Sequence, residues 1–541
     1  MALKAYDAII IGGGLNGTCL SAYLQRAGMQ VAVFERRYEE GSGIHTMESI
    51  PGFLFNHAQY NEFFPKWGPP YHDLGLEALG ARFIYPGAQA GIAFSDGRPP
   101  IILYNVEEDI ERTRKSIAVY SRHDADTFVE LRKRGNIAQG IFYKWCYSPP
   151  EMPSEKNPDP WNTLANALMD LFGLPRHLAR GTTRDLVEYL FETPEFRTFL
   201  YKLSPEWLTA PEMMNGGAMG LLSLFPFSQN WRLSIGGTHT VAHAMAMAAI
   251  REGVHFHESS RVVEILVGNG RATGVRLADG TTVTARKLVA SSADVRQTVL
   301  NLLGEEKVGP LWMDRARKVR YGPFGVLGSS QMALHEAPDY KSARHDPAIN
   351  KTFYTVVGFD EPEEVLQHCR EQESGKVPDI AGIGVAVNSL WDPTYAPPGK
   401  HSFCGWLFMP KASCLSREEW REVKETYNDR ILERICRWAP NMTRKNVIGD
   451  YFYTPLDLQE EKFMPEGDYT GGIVVPGQIG HERPFPEAAM YRAGIEGLYL
   501  CGSGMHPMGG ISACVGYNTY KVMSEDFGLA YKPWEKGERE F

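Results

Sequence analysis

Two glycine-rich segments near opposite ends of the 541-residue chain hold the residues whose spacing is suited to chemistry. The first is Gly12-Gly13-Gly14-Leu15-Asn16-Gly17, which follows directly on the apolar run Asp7-Ala8-Ile9-Ile10-Ile11 and opens a helix. In that strand-turn-helix setting Gly12 permits the tight turn, Gly14 lets backbone approach a pyrophosphate, and Gly17 lets the helix pack closely on the sheet. The helix N-terminus adds free N–H groups and the positive end of its dipole. A second strand, Gln30 to Phe34, ends in Glu35, at the interval expected for a carboxylate that takes a ribose hydroxyl. The second segment follows a short apolar strand at Gly497 to Cys501 and reads Gly502-Ser503-Gly504-Met505-His506-Pro507-Met508-Gly509-Gly510-Ile511. A helix is predicted from about Ser512, so a second helix N-terminus faces the ligand.

These residues need a sheet to carry them. The nucleotide-binding sheet is predicted to resume at Gly236-Gly237 with a helix over Thr240 to Arg251. A meander follows: Arg261 to Val267, the turn Gly268-Asn269-Gly270, and Ala272 to Leu277, closed by Asp279-Gly280. The strand Lys287 to Ala290 is predicted to return to the main sheet. Residues 71–231 read as mainly helical. Between about Val295 and Gly471, strands are predicted at Phe353 to Val357, Ile383 to Val387 and Phe403 to Phe408. The segment Asp392 to Lys400 reads as a loop. A helix from about Arg417 to Trp438 carries Trp420, Val423, Tyr427, Ile431 and Ile435 on one face.

A nucleotide held from both chain termini, with a β-meander between, is the layout of a large flavoprotein rather than of a nicotinamide dehydrogenase. The fold class expected is α/β: a discontinuous Rossmann-like FAD-binding domain with a mixed α+β substrate domain. Its three nucleotide-binding parts are 1–70, 232–300 and 471–541, with a helical cap at 71–231 and a substrate domain at 301–470.

Composition bounds the function classes. A chain this long exceeds one hydrophobic core, and 43% hydrophobic with 22% charged residues is ordinary for a globular protein. The net charge of -9 argues against a nucleic-acid partner. The eight cysteines form no CxxC pair and have no histidine at zinc-ligand spacing, so neither a disulfide framework nor a metal is expected. The first strand begins at once, which leaves no room for a signal peptide, and no apolar run reaches membrane-spanning length. The compartment expected is a reducing cytoplasm.

Beyond these local motifs, the chain resembles the phytoene desaturase and carotenoid isomerase superfamily of FAD-dependent oxidoreductases, itself related to the amine oxidases. The likeness covers nearly the whole chain. It rests on the Asp7 to Glu35 unit, Gly236-Gly237, the Val262 to Gly280 meander, Ala396-Pro397-Pro398-Gly399-Lys400-His401, Thr454-Pro455-Leu456-Asp457 and the Leu500 to Gly510 motif. The C-terminal signature is similar to that of the branch named pyridine nucleotide-disulfide oxidoreductase domain-containing proteins. The resemblance implies FAD with its adenosine on Gly12, Gly14, Gly17, Glu35 and Arg36, and adenine near Val262. It implies that Gly502, Ser503, Gly509, Gly510 and Ile511 hold the ribityl chain and flavin ring. Two departures bear on the substrate. Desaturases carry a Gly-Gly-Arg turn where this chain has Gly41-Ser42-Gly43-Ile44-His45, and Met508 interrupts the glycines after His506-Pro507.

A flavin dehydrogenase asks the protein mainly for orientation and exclusion of water. The function expected is hydride transfer from CH-CH or CH-OH groups of a hydrophobic, isoprenoid-like or alicyclic substrate to flavin. Two other readings stay open: a redox-neutral double-bond isomerase, and a non-catalytic flavin-binding protein. Without a second GxGxxG in a strand-turn-helix setting, electrons are expected to leave to a quinone, oxygen or a carrier protein, and peripheral membrane contact is expected of an enzyme that collects apolar substrate. His506, His45 and Tyr517 are the candidates to handle protons or line the pocket. His506 has a rival role in bracing its turn, His45 as a loop residue and Tyr517 as helix core. His239 and His243, four apart on a predicted helix, lack a third ligand in the sequence. Met213, Met214 and Met219, with Leu221, Leu222, Leu224, Phe225 and Phe227, suggest an apolar channel or core.

Overall fold

The computed structural model describes residues 5–41, 43–57, 68–105, 110–207, 209–227, 230–510 and 513–536. Tyr6–Ile11 is buried along both faces except at Asp7, which is why it reads as a continuous apolar run rather than an alternating one. It pairs in parallel with Val31–Phe34 on one side and with Thr282–Ser291 on the other. The sheet runs Val262–Gly268, Arg271–Leu277, Thr282–Ser291, Tyr6–Ile11, Val31–Phe34, His255–His257, and Leu498–Leu500 also pairs in parallel with Thr282–Ser291. The expected strand at Lys287 to Ala290 is therefore the inner part of a ten-residue strand. Its outer end belongs to the meander, where Thr282, Val283 and Thr284 pair antiparallel with Arg271–Leu277. Asn269 and Gly270 both take positive φ at the hairpin turn, as an Asn-Gly pair does readily.

The helix Leu15–Arg26 packs on the last helix, Cys514–Asp526, and on His239–Glu252. The first two meet at their N-terminal ends: Gly516 N donates to Asn16 Oδ1 at 3.2 Å, and a Cβ on Gly516 would stand 2.1 Å from the Asn16 carbonyl oxygen. The two glycine-rich segments thus converge because their helices are neighbours.

A second sheet runs Val447–Tyr453, Leu327–Leu334, His401–Phe408, Ile383–Ala386, Tyr354–Val357, Ala88–Ile92, Ile101–Tyr104. It is antiparallel except where Tyr354–Val357 meets Ala88–Ile92. The last two strands lie inside residues 71–231, a block that is otherwise mainly helical as expected. Both are buried on both faces, so they lack the alternation that marks a strand. Leu327–Leu334 is a further strand that the sequence does not announce, because its centre is Ser329-Ser330-Gln331. Those polar groups are buried but bonded: Ser330 donates to Asn428 Oδ1, and Ser49 donates to Gln331 Oε1. Within Asp392 to Lys400, read as a loop, Pro393–Tyr395 forms one 3₁₀ turn capped by Asp392.

The helix Arg417–Ile435 starts at a Ser416/Glu419 capping box and buries Trp420, Tyr427, Ile431 and Ile435 against the second sheet. Further helices, among them Arg122–Cys146, Pro160–Phe172 and Pro194–Leu203, follow the strand Ile101–Tyr104 in the chain.

Candidate functional site

A cavity of about 510 Å³ opens between the two glycine-rich segments. Of the residues singled out from sequence and resemblance, Gly12, Gly14, Glu35, Arg36, Val262, Ser503, Gly509 and Gly510 line it. Gly17 and Gly502 stand behind the wall, where their role is steric. A Cβ on Gly17 would lie 2.3 Å from the Gly12 carbonyl oxygen, and one on Gly502 would lie 2.7 and 2.8 Å from the carbonyl oxygens of Ala293 and Ser292. Ile511 lies outside the described residues.

The cavity has the local features of a phosphate cradle. Gly14 is the N-cap of the helix Leu15–Arg26 with no side-chain cap, and the space where its Cβ would stand is open to 4 Å. The first-turn N–H groups are thus left for a ligand. Glu35 ties strand to loop, accepting from Gly13 N at 2.7 Å and from Arg37 N at 2.8 Å. The guanidinium of Arg36 stacks 3.2 Å from the centre of the Phe463 ring, and Arg261 joins it in the wall. Burial and the neighbouring Arg261 charge both press the Arg36 pKa down, an arrangement that an anionic ligand relieves. Deeper in, Asp294 is buried with Oδ1 accepting from Tyr321 and Oδ2 without a hydrogen-bond partner, and burial pushes its pKa up. These groups fit a dinucleotide: a bare helix N-terminus for phosphate, a carboxylate at the strand end and polar atoms left over inside.

The three candidates for proton chemistry are not brought to the cavity surface. His506 is fully buried, with Nε2 3.2 Å from the Trp145 carbonyl oxygen and its ring edge-on to the Trp145 indole at 4.5 Å. Burial presses its pKa down to about 3, so it is neutral and braces the turn. Tyr517 belongs to an aromatic cluster with Tyr23, Tyr147 and Trp534. His45 lies one residue behind the wall that Gly43 and Ile44 form.

What the sequence did not show is the company His45 keeps. Its Nε2 is 2.6 Å from Glu39 Oε1, its Nδ1 is 3.0 Å from Lys462 Nζ, and its ring lies 4.8 Å from that of His239. Arg37 Nη2 donates to the same Glu39 oxygen at 3.0 Å. Burial raises the Glu39 pKa, but the hydrogen bond and charge of His45 outweigh it and hold the carboxyl at about 2. Burial and then the charge of Lys462 lower His45 to about 4. His239 and His243 find the acids that the sequence left unidentified: His239 Nδ1 is 4.0 Å from Glu39 Oε2, with its Nε2 3.0 Å from the Glu40 carbonyl oxygen, and His243 Nδ1 is 3.1 Å from Glu40 Oε1. Lys462, unlike His45, lines the cavity, and so do Phe463, Met464 and Tyr469. The one sequence feature named near Lys462 is Thr454-Pro455-Leu456-Asp457, which entered only through the family resemblance. It is the capping box of the helix Pro455–Glu461, whose C-cap is Lys462.

The sequence profile of the flavin-containing amine oxidoreductases matches residues 176–515, and that of NAD(P)-binding Rossmann-like domains matches residues 10–62. The chain belongs to the flavin-containing amine oxidoreductase family. Within this family setting, the chain is 29% identical to one of the subunits of the limonene dehydrogenase of Castellaniella defragrans, over 97% of this chain and 96% of that protein. It is 27% identical to pyridine nucleotide-disulfide oxidoreductase domain-containing protein 2 of Rattus norvegicus, over 96% and 94%. In fold it is similar to cyclohexylamine oxidase of Brevibacterium oxydans, with a TM-score of 0.58 at 13% identity over 97% of this chain and 100% of that one. Family membership makes the cofactor a flavin and the protein an oxidoreductase. The cavity between the two glycine-rich segments is where such a cofactor fits.

Proposed function

We propose that the protein is an FAD-dependent dehydrogenase that removes hydride from CH-CH or CH-OH groups of a hydrophobic, alicyclic or isoprenoid-like molecule. The observation that carries this reading is one cavity of about 510 Å³ lined both by Glu35, Arg36 and Val262 and by Ser503, Gly509 and Gly510. A cavity shared by both glycine-rich segments suits a ligand with a nucleotide at one and a flavin at the other. The relatives named as part of a limonene dehydrogenase and as phytoene desaturases support an apolar substrate. When bound, the flavin supplies a two-electron oxidant.

The chain's own contribution is to bind, orient and exclude water. Gly12, Gly14 and the bare N-terminus of Leu15–Arg26 would hold the pyrophosphate, and Glu35 the ribose. Arg36 on Phe463 would close over the adenosine, and Ser503, Gly509 and Gly510 would border the ring. The Met219 to Phe225 stretch is buried in the helical layer, with the Phe225 ring 5.6 Å from that of Phe128, while Met214 faces solvent. That stretch is therefore core, and the apolar lining of the cavity comes from Ile44, Leu302, Phe463 and Met464. Electrons would leave to a quinone, oxygen or a carrier protein.

Anaerobic titration of the flavin-loaded protein with monocyclic terpenes, acyclic terpenes, carotenoids and cyclic alcohols, followed by visible absorbance, tests the reading. Bleaching of the oxidised flavin bands by one class supports it and names the substrate. Bands that stay intact with every class refute it.

A further inference from the structure

The pair His239 and His243 is left unused by the flavin cavity, which neither residue lines. The two stand four residues apart on the helix His239–Glu252, a spacing that puts both imidazoles on one face, and such a pair lacks only a third ligand to hold a transition-metal ion. The fold supplies that ligand from the loop before Gly41. One ligand atom from each of Glu40, His239 and His243 stands within 4.8 Å of the other two. His243 Nδ1 is 3.1 Å from Glu40 Oε1, and the centres of the two imidazole rings are 4.3 Å apart.

His239 is held as a metal ligand is held. The Glu40 carbonyl oxygen can only accept, so at 3.0 Å the hydrogen sits on His239 Nε2, and the neutral ring keeps a lone pair on Nδ1. A histidine that ligates through one nitrogen donates its other N–H to just such a carbonyl, which fixes tautomer and ring orientation. Nδ1 stands 4.0 Å from Glu39 Oε2. Neither atom can donate to the other, and the gap is too long for a hydrogen bond but spans about two metal–ligand bonds of 2.0–2.2 Å. The other oxygen of Glu39 is engaged, accepting from His45 Nε2 at 2.6 Å and from Arg37 Nη2 at 3.0 Å.

Glu39, His45 and His239 form a second, overlapping donor set. There, however, Lys462 Nζ already donates to His45 Nδ1 at 3.0 Å and Arg37 binds Glu39, so two basic side chains stand where a metal ion would go. The charged groups that act on His243 are instead Glu40 and Glu39, both acids. The N-terminus of the helix opposes a cation there with about half an elementary charge, which the Glu40 carboxylate alone exceeds. The His243 side chain is 56% exposed, which gives an ion its way in and leaves room for water as a further ligand.

We propose that Glu40, His239 and His243 bind a divalent first-row transition ion such as zinc, with Glu39 as a further oxygen donor. Two imidazoles with carboxylate are a donor set that such ions take, whereas magnesium and calcium prefer oxygen alone. The ion ties the loop to the helix. Gly41, next to Glu40, lines the flavin cavity and donates its N–H to the Gly13 carbonyl oxygen at 3.0 Å, and a Cβ on it would lie 2.5 Å from Ala242 Cβ on the helix that carries both histidines. The site thus braces the cavity wall from behind, and no step of the dehydrogenase reaction passes through it.

The test uses the untagged, flavin-loaded protein, stripped with EDTA and titrated with zinc by calorimetry. One ion per chain should bind, with affinity about tenfold or more weaker in His243→Gln and in Glu40→Gln. Flavin content checks that both variants fold. His257→Gln, which breaks the His255/His257 pair on the edge strand, should bind zinc as the wild type does. X-ray absorption at the zinc edge should show two imidazoles, with nitrogen and oxygen at about 2.0–2.2 Å. Zinc should raise the melting temperature of the wild type and not of His243→Gln, and magnesium should raise neither. No saturable uptake below about 1 mM zinc, unchanged affinity in both His243→Gln and Glu40→Gln, or affinity lost in His257→Gln instead, overturns the assignment and leaves Glu40 and His243 as an ion pair. None of these outcomes bears on whether a substrate reduces the flavin.

Discussion

Gly14 and Gly17 belong to one motif, yet alanine at the two positions should do opposite things. At Gly17 the new methyl would stand 2.3 Å from the Gly12 carbonyl oxygen, 3.0 Å from Ser292 Oγ and 3.2 Å from Ile10 Cγ2. A carbon and a carbonyl oxygen need about 1 Å more than that, so either the helix or the Gly12 turn must shift, and overpacking of this kind costs ~1–3 kcal/mol. The gain of about 1 kcal/mol from alanine's helix propensity offsets only part of it. The turn that moves is the one Ser292 Oγ bonds at 3.0 Å, so the damage reaches the cradle. At Gly14 φ is -66°, which any residue adopts, and nothing lies within 4 Å of the added methyl. The apoprotein should therefore keep its stability to within about 0.5 kcal/mol. The methyl would instead occupy the space where a pyrophosphate is proposed, and FAD affinity should fall about tenfold or more, ~1.4 kcal/mol. Thermal melting of both apoproteins, with titration of FAD by fluorescence quenching, separates the two effects. Wild-type FAD affinity in Gly14→Ala would refute the placement of the phosphates. Wild-type melting in Gly17→Ala would refute the steric argument.

Glu35→Gln should weaken FAD binding and lower stability by about 1–3 kcal/mol, because an amide can accept from only one of the Gly13 and Arg37 N–H groups with its oxygen and turns a donor toward the other; flavin retention on gel filtration and urea unfolding measure both. His45 has its folded pKa pressed below its unfolded value, so the unfolded chain binds the extra proton first, and stability should fall as pH drops from 6.5 to about 4. Urea unfolding at intervals across that window should show a flatter profile in His45→Gln, and an unchanged profile would show that His45 is not held neutral. His506→Phe, which removes the bond to the Trp145 carbonyl, should lower the melting temperature while leaving the pH dependence of flavin reduction in place; a changed pH profile would return His506 to the proton chemistry. Ile137 and Ile141 stand exposed one turn apart on Arg122–Cys146, so liposome co-sedimentation should drop in the double aspartate variant, and unchanged sedimentation would refute a membrane contact there.

The strand-turn-helix unit at the start of the chain was legible because its constraints are local. Gly12, Gly14, Gly17 and Glu35 act through backbone geometry within one strand-turn-helix unit, and such a unit leaves the same spacing wherever it occurs. The Asn269-Gly270 turn is legible for the same reason. The second sheet was only partly so, since Leu327–Leu334 carries Ser-Ser-Gln in its middle and depends on Ser49 and Asn428 to satisfy them, partners far away in the chain. The candidates for proton chemistry were the least legible. His506 and Tyr517 drew attention by standing beside a glycine motif, but neighbourhood in sequence does not decide which way a side chain points, and both point into packed interior. His45 was singled out without its partner, because Lys462 lies 417 residues away and follows a helix whose capping box looks purely structural. A buried lysine against a buried neutral histidine is a product of the fold alone: neither residue type nor spacing distinguishes Lys462 from a surface lysine. What distinguishes it is that burial in the cavity wall and the Arg37 charge disfavour its ammonium, while the His45 lone pair, fixed by Glu39, keeps its nitrogen in place. Position and proton affinity thus have separate causes, so His45→Gln should disturb the first more than the second, and neutralising Arg37 the second more than the first.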